Sequence, residues 1–376
     1  MKRTDYLNKV KRIVVKIGTS TITVNDKISS EKISKIVDDV SFLVNSGMQV
    51  IVVTSGAISS GAGVLNMTRN HLTIPERQAL AAIGQTVLMD EYSKCFSKKG
   101  INVGQILLTE DDMRNRRRFL NARNTINALL DLKVIPIINE NDSVTVKEIK
   151  IGDNDTLSAH VLTLIEGDLL ILLSDIDGFY YDLKAPEPVY EIFKINDDIR
   201  NRAGGAGTVH GTGGMVTKIN AAEMIMRCGG KMIIADGNEP LIMKRIMSGE
   251  RIGSLFIGEN KRFTSRKKWI SLRKSKGSIV IDEGAVKALI TGKKSLLATG
   301  ITEVKGKFDM GDIIEIVNSK GELLAKGIVH YNSEELDIIK GKRTDQIKSI
   351  LGIKYFDEVI NRDDLFVLNN SPFETA

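Results

Sequence analysis

Short apolar runs alternate with helix-like stretches through the first two-thirds of the chain. Runs rich in β-branched residues predict strands at 13–15, 50–53, 103–108, 134–138, 169–173, 232–235 and 254–257. Apolar runs of this length are typical of buried parallel strands. Because strands that alternate with helices are joined by right-handed crossovers, helices cover both faces of the sheet. Residues 1–258 are therefore predicted to form an α/β fold, a three-layer αβα sandwich with a mainly parallel sheet.

Helical spacing of apolar positions fills the gaps between these strands. Ser29 and Ser30 are placed to cap a helix that Gly47 ends. A second helix is predicted from Pro75 to just before Gly100, because proline is tolerated in a first turn. A third helix is predicted over residues 111–132.

The pattern changes after residue 276. Short strands are predicted at 277–281, 300–304, 311–317 and 322–328, with one helix at 284–290. Short strands separated by turn residues favour a small β-rich domain. The predicted organisation is a catalytic domain at 1–258, a basic linker at 259–276, a β-rich domain at 277–360 and a loose tail at 361–376.

Composition is that of an ordinary globular protein. The chain has 376 residues, of which 42% are hydrophobic and 27% charged, and this length favours two domains. No apolar run approaches the roughly 20 residues of a membrane-spanning helix, so a cytoplasmic protein is expected. Cys95 and Cys228 lack the spacing of a disulfide framework or a zinc site.

The basic charge is concentrated in one segment. The net charge is +6, but residues 261–281 hold eight basic and no acidic residues, so the rest of the chain sums to −2. A solvated linker face explains such a run more simply than contact with a polyanion. The β-rich part is nearly neutral, with 12 basic and 11 acidic residues over 277–354. Binding to RNA is left open but is weakly supported.

Polar clusters directly follow four of the predicted strands. They occupy residues 16–20, 54–57, 139–142 and 174–175. In an open parallel sheet, ligands bind beyond the carboxyl ends of the strands, so these clusters should share one crevice. Lys16, at the last position of its strand, must place its ammonium in that crevice, because an unpaired buried charge is very unfavourable. Gly18 is expected to add a backbone donor and to leave room.

A glycine-rich segment opens a later helix. Gly211 to Lys218 reads GTGGMVTK, which matches neither a Walker A loop nor a dinucleotide fingerprint. Glycines allow backbone N–H groups to approach phosphate oxygens, and the helix dipole favours them. Lys16 and Lys218 together could neutralise a transferring phosphoryl group. Ser174 and Asp175 are expected to face the nucleotide.

The remaining clusters suggest an amino acid as the phosphoryl acceptor. Asp142 could pair with a substrate ammonium, while Ser55, Gly56 and Ala57 offer donors for a carboxylate. Asp155 is placed to cap its helix, to hold lysine side chains in position, or both. No histidine is an obvious general base, and His160 falls within a predicted helix. A carboxylate acceptor is already deprotonated at neutral pH, so the missing base favours acyl-phosphate formation.

Several motifs, in order, resemble those of the glutamate 5-kinase family of the amino acid kinase superfamily. They are KIGTS (16–20), TSGAISSG (54–61), FLNARNTINALL (119–130), NEND (139–142), GDNDTLSA (152–159), LLSDIDG (172–178) and GTGGMVTK (211–218). Each one alone could be shared with aspartokinase, carbamate kinase or uridylate kinase relatives. IVIDEGAVKALI (279–290), KGKFDMGDIIEI (305–316) and GIVHYNS (327–333) are similar to the PUA domain that bacterial members often carry.

The resemblance implies ATP-dependent phosphorylation of the γ-carboxylate of L-glutamate, the first step of proline biosynthesis. It implies that Lys16 and Lys218 stabilise the phosphoryl group and that Asp155 organises them. Glutamate would contact Ser55, Asp142 and Asn154, with Asn139 nearby. ATP would contact Lys16, Gly18, Ser174, Asp175, Thr212, Gly213, Gly214, Met215, Val216, Thr217 and Lys218.

The resemblance also implies Mg²⁺ held through the ATP phosphates, with no metal site made by the protein itself. Feedback inhibition by proline and a homo-oligomer, a dimer or tetramer, are further expectations. Residues 181–188 depart from the family pattern, which leaves the nucleotide-side loop open. Two alternatives stay open: a kinase of the same fold acting on aspartate, N-acetylglutamate or a phosphate monoester, and an RNA-associated protein with a degenerate kinase domain.

Overall fold

The structure is a computed structural model that describes residues 2–24, 27–68, 72–144, 154–182, 184–204, 214–258, 267, 270–271, 273–352 and 356–368. For residues 114, 116 and 117 it describes only the backbone. The chain divides into two compact units, Met1–Lys261 and Arg262–Ala376. The predicted limits of the catalytic domain, linker, β-rich domain and tail remain predictions.

The strands of the first unit are β1 Arg12–Ile17, β2 Thr23–Val24, β3 Lys27–Ile28, β4 Gln49–Val53, β5 Asn102–Leu108, β6 Val134–Glu140, β7 Leu169–Ser174, β8 Glu191–Ile192, β9 Lys231–Asp236 and β10 Ser254–Ile257. Its helices are α1 Arg3–Leu7, α2 Thr19–Ile22, α3 Ser30–Asn45, α4 Ala57–Leu65, α5 Ile74–Ser97, α6 Glu110–Arg114, α7 Arg116–Asp131, α8 Asn154–Leu164, α9 Asp197–Gly204, α10 Met215–Arg227 and α11 Ile242–Met247.

Within the described residues, eight strands of the first unit form one sheet in the order β5-β6-β4-β1-β7-β9-β10-β8. All neighbours from β5 to β9 pair in parallel, while β10 runs antiparallel to β9. The central strands β1, β4 and β7 are almost wholly buried. The predicted α/β sandwich with a mainly parallel sheet is confirmed.

The second unit contains β11 Ser278–Ile281, α12 Glu283–Ile290, β12 Ile301–Lys305, β13 Ile313–Val317, β14 Leu323–Ile328, α13 Ser333–Ile339, α14 Ile347–Leu351 and β15 Leu365–Val367. Short 3₁₀ turns lie at Ala298–Gly300 and Arg362–Asp364. The described strands pair in the order β12-β11-β13-β14-β15, antiparallel except between β11 and β13. The expected β-rich C-terminal domain is confirmed, and it has its own apolar core.

Three local predictions are wrong. Strand β1 continues to Ile17 because pairing with β7 extends to that residue, so Lys16 is next to last rather than last. The helix predicted over 111–132 is broken at Asn115, whose backbone is extended and whose Oδ1 accepts from Arg118 N–H at 3.2 Å. That side chain caps a new helix. The predicted loose tail includes β15, which pairs with β14.

Candidate active site

Three charged side chains from distant parts of the sequence meet near the carboxyl end of the central strands. Lys16 Nζ lies 2.5 Å from Oδ1 of Asp155, and Lys218 Nζ lies 3.1 Å from Oδ2 of the same carboxylate. Lys16 comes from β1, Asp155 from the first turn of α8 and Lys218 from the first turn of α10. The carboxylate is fully buried, and the two lysines are 7% and 4% exposed.

The electrostatics of this cluster favour an ionised carboxylate. Burial by itself would raise the pKa of Asp155, but the ammonium groups of Lys16 and Lys218 hold that pKa below its usual value. Two ammonium groups beside one carboxylate, in a site with little access to water, are complementary to a phosphate group.

Neighbouring groups shape the same site. Thr217 Oγ1 lies 3.1 Å from Oδ2 of Asp155 and 2.7 Å from the Gly214 carbonyl oxygen. A Cβ on Gly18 would lie 3.3 Å from the Leu173 carbonyl oxygen and 3.9 Å from Lys16 Nζ, so the glycine leaves room beside the ammonium. Its N–H donates to the Leu173 carbonyl at 3.1 Å. The expectation that Gly18 offers a spare donor is therefore wrong, whereas the room it leaves is present.

A second polar network surrounds Asn154, the residue before Asp155. Asn154 Nδ2 lies 2.8 Å from the Thr54 carbonyl oxygen, 2.8 Å from Ser55 Oγ and 3.1 Å from Asn139 Oδ1. Helix α8 thus begins with an amide that contacts the ends of β4 and β6 and a carboxylate that contacts both lysines. Ser55, Asn139 and Asn154 were predicted to bind the substrate or to lie near it. The structure brings them next to the lysines that were predicted to stabilise the phosphoryl group.

Two glycines, Gly56 and Gly84, meet backbone requirements at this end of the sheet. Gly56 precedes α4 with φ +98°, a left-handed conformation that favours glycine. A Cβ on Gly84 of α5 would lie 1.8 Å from the Ala57 carbonyl oxygen, so α4 and α5 can pack together only with glycine there. Asp142 lies half-buried in the turn after β6.

The predicted nucleotide residues are only partly described. Ser174 ends β7, and its Oγ donates to Asp175 Oδ1 at 2.9 Å. Gly214 precedes α10, which begins with Met215 and Val216. Thr212 and Gly213 lie outside the described residues, as does Leu183 in the loop at 181–188. The assignment of ATP to these residues stays a prediction.

Two residues of the site, Gln85 and Tyr92, were not predicted to have a role there. Gln85 Oε1 accepts from Asn139 Nδ2 at 2.8 Å, and Tyr92 OH lies 3.0 Å from Thr54 Oγ1. The pKa of Tyr92 is raised by burial, so its hydroxyl stays protonated. Both Gln85 and Tyr92 lie on the buried stripe of α5. A glutamine inside an otherwise apolar helical stripe is the sequence signal that could have found Gln85.

Three further features of the described part of the chain concern a metal site, a histidine base and a membrane span. It holds no group of three or more His, Cys, Asp or Glu side chains placed to bind a metal. His160 lies in α8 as predicted, and burial lowers its pKa to about 4, so the ring is neutral. No described helix is long and apolar enough to cross a membrane.

Comparison with known proteins gives matches over both units. The amino acid kinase family model matches residues 11–236, and the PUA domain model matches residues 277–351. Glutamate 5-kinase of Caldanaerobacter subterraneus subsp. tengcongensis is 49% identical over 366 residues, 95% of this chain and 98% of the relative. Glutamate 5-kinase of Thermoanaerobacter sp. is 47% identical, and the match covers 95% of this chain and 98% of the relative. Glutamate 5-kinase of Syntrophotalea carbinolica is 45% identical, and the match covers 97% of this chain and 99% of the relative.

A solved structure, Giardia carbamate kinase, aligns with a TM-score of 0.49 at 15% identity, covering 67% of this chain and 100% of that one. The family assignment rests on the family models and on the curated relatives, which match nearly the whole chain. This chain therefore belongs to the amino acid kinase family, in its glutamate 5-kinase group, carries a C-terminal PUA domain, and is a kinase.

Proposed function

We propose that the chain transfers the γ-phosphoryl group of ATP to the γ-carboxylate of L-glutamate and forms γ-glutamyl phosphate, the first step of proline biosynthesis. The observation that carries the proposal is the buried cluster in which one carboxylate holds two ammonium groups, Lys16 and Lys218. The name of the curated relatives supports glutamate as the acceptor.

The lysines are the groups that act on the phosphoryl charge. An ammonium carries three N–H donors, so each lysine can contact Asp155 and phosphate oxygens at the same time. Asp155 fixes the positions of both ammonium groups before the nucleotide arrives. Fixed positive groups stabilise charge that develops during transfer without reorganising at that moment.

The Asn154 network supports an amino acid as the acceptor. Because Asn154 and Asp155 are adjacent in α8, an acceptor held by Asn154 and Ser55 lies next to the lysines. Asp142, in the turn after β6, would pair with the substrate ammonium. The γ-carboxylate would attack the γ-phosphorus as the bond to the ADP oxygen breaks. A carboxylate needs no deprotonation at neutral pH, so the proposed step uses no general base.

We infer that Mg²⁺ is held through the ATP phosphates. Asp155 is engaged by two lysines. Mg²⁺ bound to the ATP phosphates would neutralise part of their charge. We also propose a cytoplasmic, homo-oligomeric enzyme, a dimer or tetramer, that proline inhibits. RNA remains a weakly supported partner of the PUA domain.

An acyl-phosphate assay tests the function directly. Purified full-length chain is incubated with ATP, Mg²⁺ and hydroxylamine and with glutamate, aspartate, N-acetylglutamate or a phosphate monoester in turn, while ADP release is followed. Hydroxamate should form with glutamate, and Lys218→Met should abolish it. Preference for another acceptor would replace glutamate in the proposal. Salt-dependent RNA binding without ADP release on any acceptor would favour the RNA-associated alternative.

A further inference from the structure

Gln85 occupies a position that the proposed chemistry does not explain. It lies on the buried face of α5 and is only 8% exposed. Its Oε1 accepts from Asn139 Nδ2 at 2.8 Å. Within the described residues its Nε2 is buried without a hydrogen-bond partner. A buried donor without a partner is unfavourable for stability, so the unsatisfied Nε2 is not explained by stability.

Backbone groups at the two ends of the network identify which atom of each amide is the nitrogen and which is the oxygen. The Glu140 N–H can only donate, so the Asn139 atom that it contacts at 2.9 Å must be Oδ1. Asn139 then has Nδ2 left to donate, and the Gln85 atom that it contacts must be an acceptor. At the other end the Thr54 carbonyl can only accept, so the Asn154 atom beside it is Nδ2.

The orientation of Asn154 has a consequence for the substrate. Its Nδ2 is surrounded by the three acceptors of Thr54, Ser55 and Asn139. Its Oδ1 is buried and has no partner among the described residues. Asn154 therefore presents an acceptor, which suits a donor such as an ammonium and opposes a carboxylate.

We propose that Gln85 is a positioning residue that acts through Asn139 to hold the Asn154 amide in the orientation that accepts the substrate ammonium. It touches neither substrate nor nucleotide. Without its Oε1, Asn139 Nδ2 would be buried and unsatisfied, and the Asn139 amide could rotate away from Asn154. This inference rests on the proposed amino acid acceptor.

The test compares variants of Gln85 in the full-length chain by steady-state kinetics. Gln85→Met keeps the length of the side chain and removes the acceptor. It should raise the KM for glutamate about tenfold, equivalent to about 1.4 kcal/mol, and change the KM for ATP by less than about twofold. Gln85→Glu retains an oxygen at the Oε1 position and should restore most of the glutamate KM. Leu88→Ala, in the core stripe of the same helix, should lower Tm without raising that KM.

A double-mutant cycle separates positioning from general destabilisation. If Gln85 acts through Asn139, the variant carrying Gln85→Met and Asn139→Ala has the same glutamate KM as Asn139→Ala alone. Full additivity, or an unchanged KM in Gln85→Met, would overturn the inference. Should Gln85→Met fail to fold, Gln85→Asn, whose shorter side chain cannot reach Asn139, replaces it with the same expected outcomes.

Failure of the proposed function gives a different result. In that case wild-type chain forms no hydroxamate from glutamate, whatever stands at position 85. The cycle is then measured with aspartate, the other acceptor of the panel that carries an ammonium. Coupling between Gln85 and Asn139 would support the positioning role, and additivity would overturn it. Phosphorylation of N-acetylglutamate or a phosphate monoester alone, neither of which offers this ammonium, would also overturn the inference.

Discussion

Replacing Asp155 by asparagine removes the carboxylate that contacts both Lys16 and Lys218. Asparagine has nearly the same shape but only one acceptor oxygen, so one of Lys16 and Lys218 loses its contact. Removing one partner of a buried ion pair destabilises a protein by about 3–5 kcal/mol. In a unit of this size each kcal/mol lowers Tm by about 2–4 °C, so a loss of about 6–20 °C is expected. Because the lysines lose their fixed positions, kcat should fall by at least about 100-fold.

Scanning calorimetry and the hydroxamate assay measure both effects on the full-length chain. Asp168→Asn is the matched control, since Asp168 Oδ2 accepts from the backbone N–H groups of Lys11 and Arg12 at the opposite end of β1. It should lower Tm only slightly and leave kcat unchanged. A Tm shift below about 2 °C together with near-normal kcat for Asp155→Asn would refute the electrostatic reasoning.

The pH dependence of Tm in the wild type and in Asp155→Asn gives an independent check of the ion pairs. The pKa of Asp155 is lower in the folded chain than its usual value. Such a group contributes stability that is present above its unfolded pKa of about 3.9 and is lost as the pH falls through the folded value. The Tm difference between wild type and Asp155→Asn should therefore be full at neutral pH and narrow in acid. A difference independent of pH would contradict this assignment.

Three further predictions follow from other residues. Lys218→Ala should lower kcat by orders of magnitude while circular dichroism stays native, because its ammonium contacts Asp155 rather than the apolar core and is proposed to act on the phosphoryl group. Normal turnover would remove it from the site. Asp142→Ala should raise the KM for glutamate far more than that for ATP, and equal increases would argue against the ammonium contact. Burial raises the pKa of Asp39, although backbone N–H groups at the start of α11 donate hydrogen bonds to it. The contribution of Asp39 to the free energy of unfolding is therefore complete in acid and is lost as the pH rises through the folded pKa. Asp39→Asn should therefore be most stabilising, relative to wild type, near neutral pH in a Tm series.

Some features of this chain could be predicted from local sequence because the physical cause is local. Buried strands require uninterrupted apolar side chains, so 254–257 was predicted with the limits that β10 has. The Ser29 cap of α3 was predicted for the same reason, since its side chain accepts from Lys32 N–H. The order of the motifs gave the family and the residues of the candidate site. These features depend on residues that are close together in the sequence.

Tertiary structure decided what depends on residues far apart in the chain. Only the folded chain shows that Lys16 and Lys218 contact opposite oxygens of Asp155, because 202 positions separate the lysines. The contact of Gln85 with Asn139 spans 54 positions and depends on where the fold places α5. The pairing of β15 with β14 likewise depends on which sheet edge the end of the chain reaches. Hydrogen bonds and ion pairs depend on distances in space, which the spacing of residues along the chain does not fix.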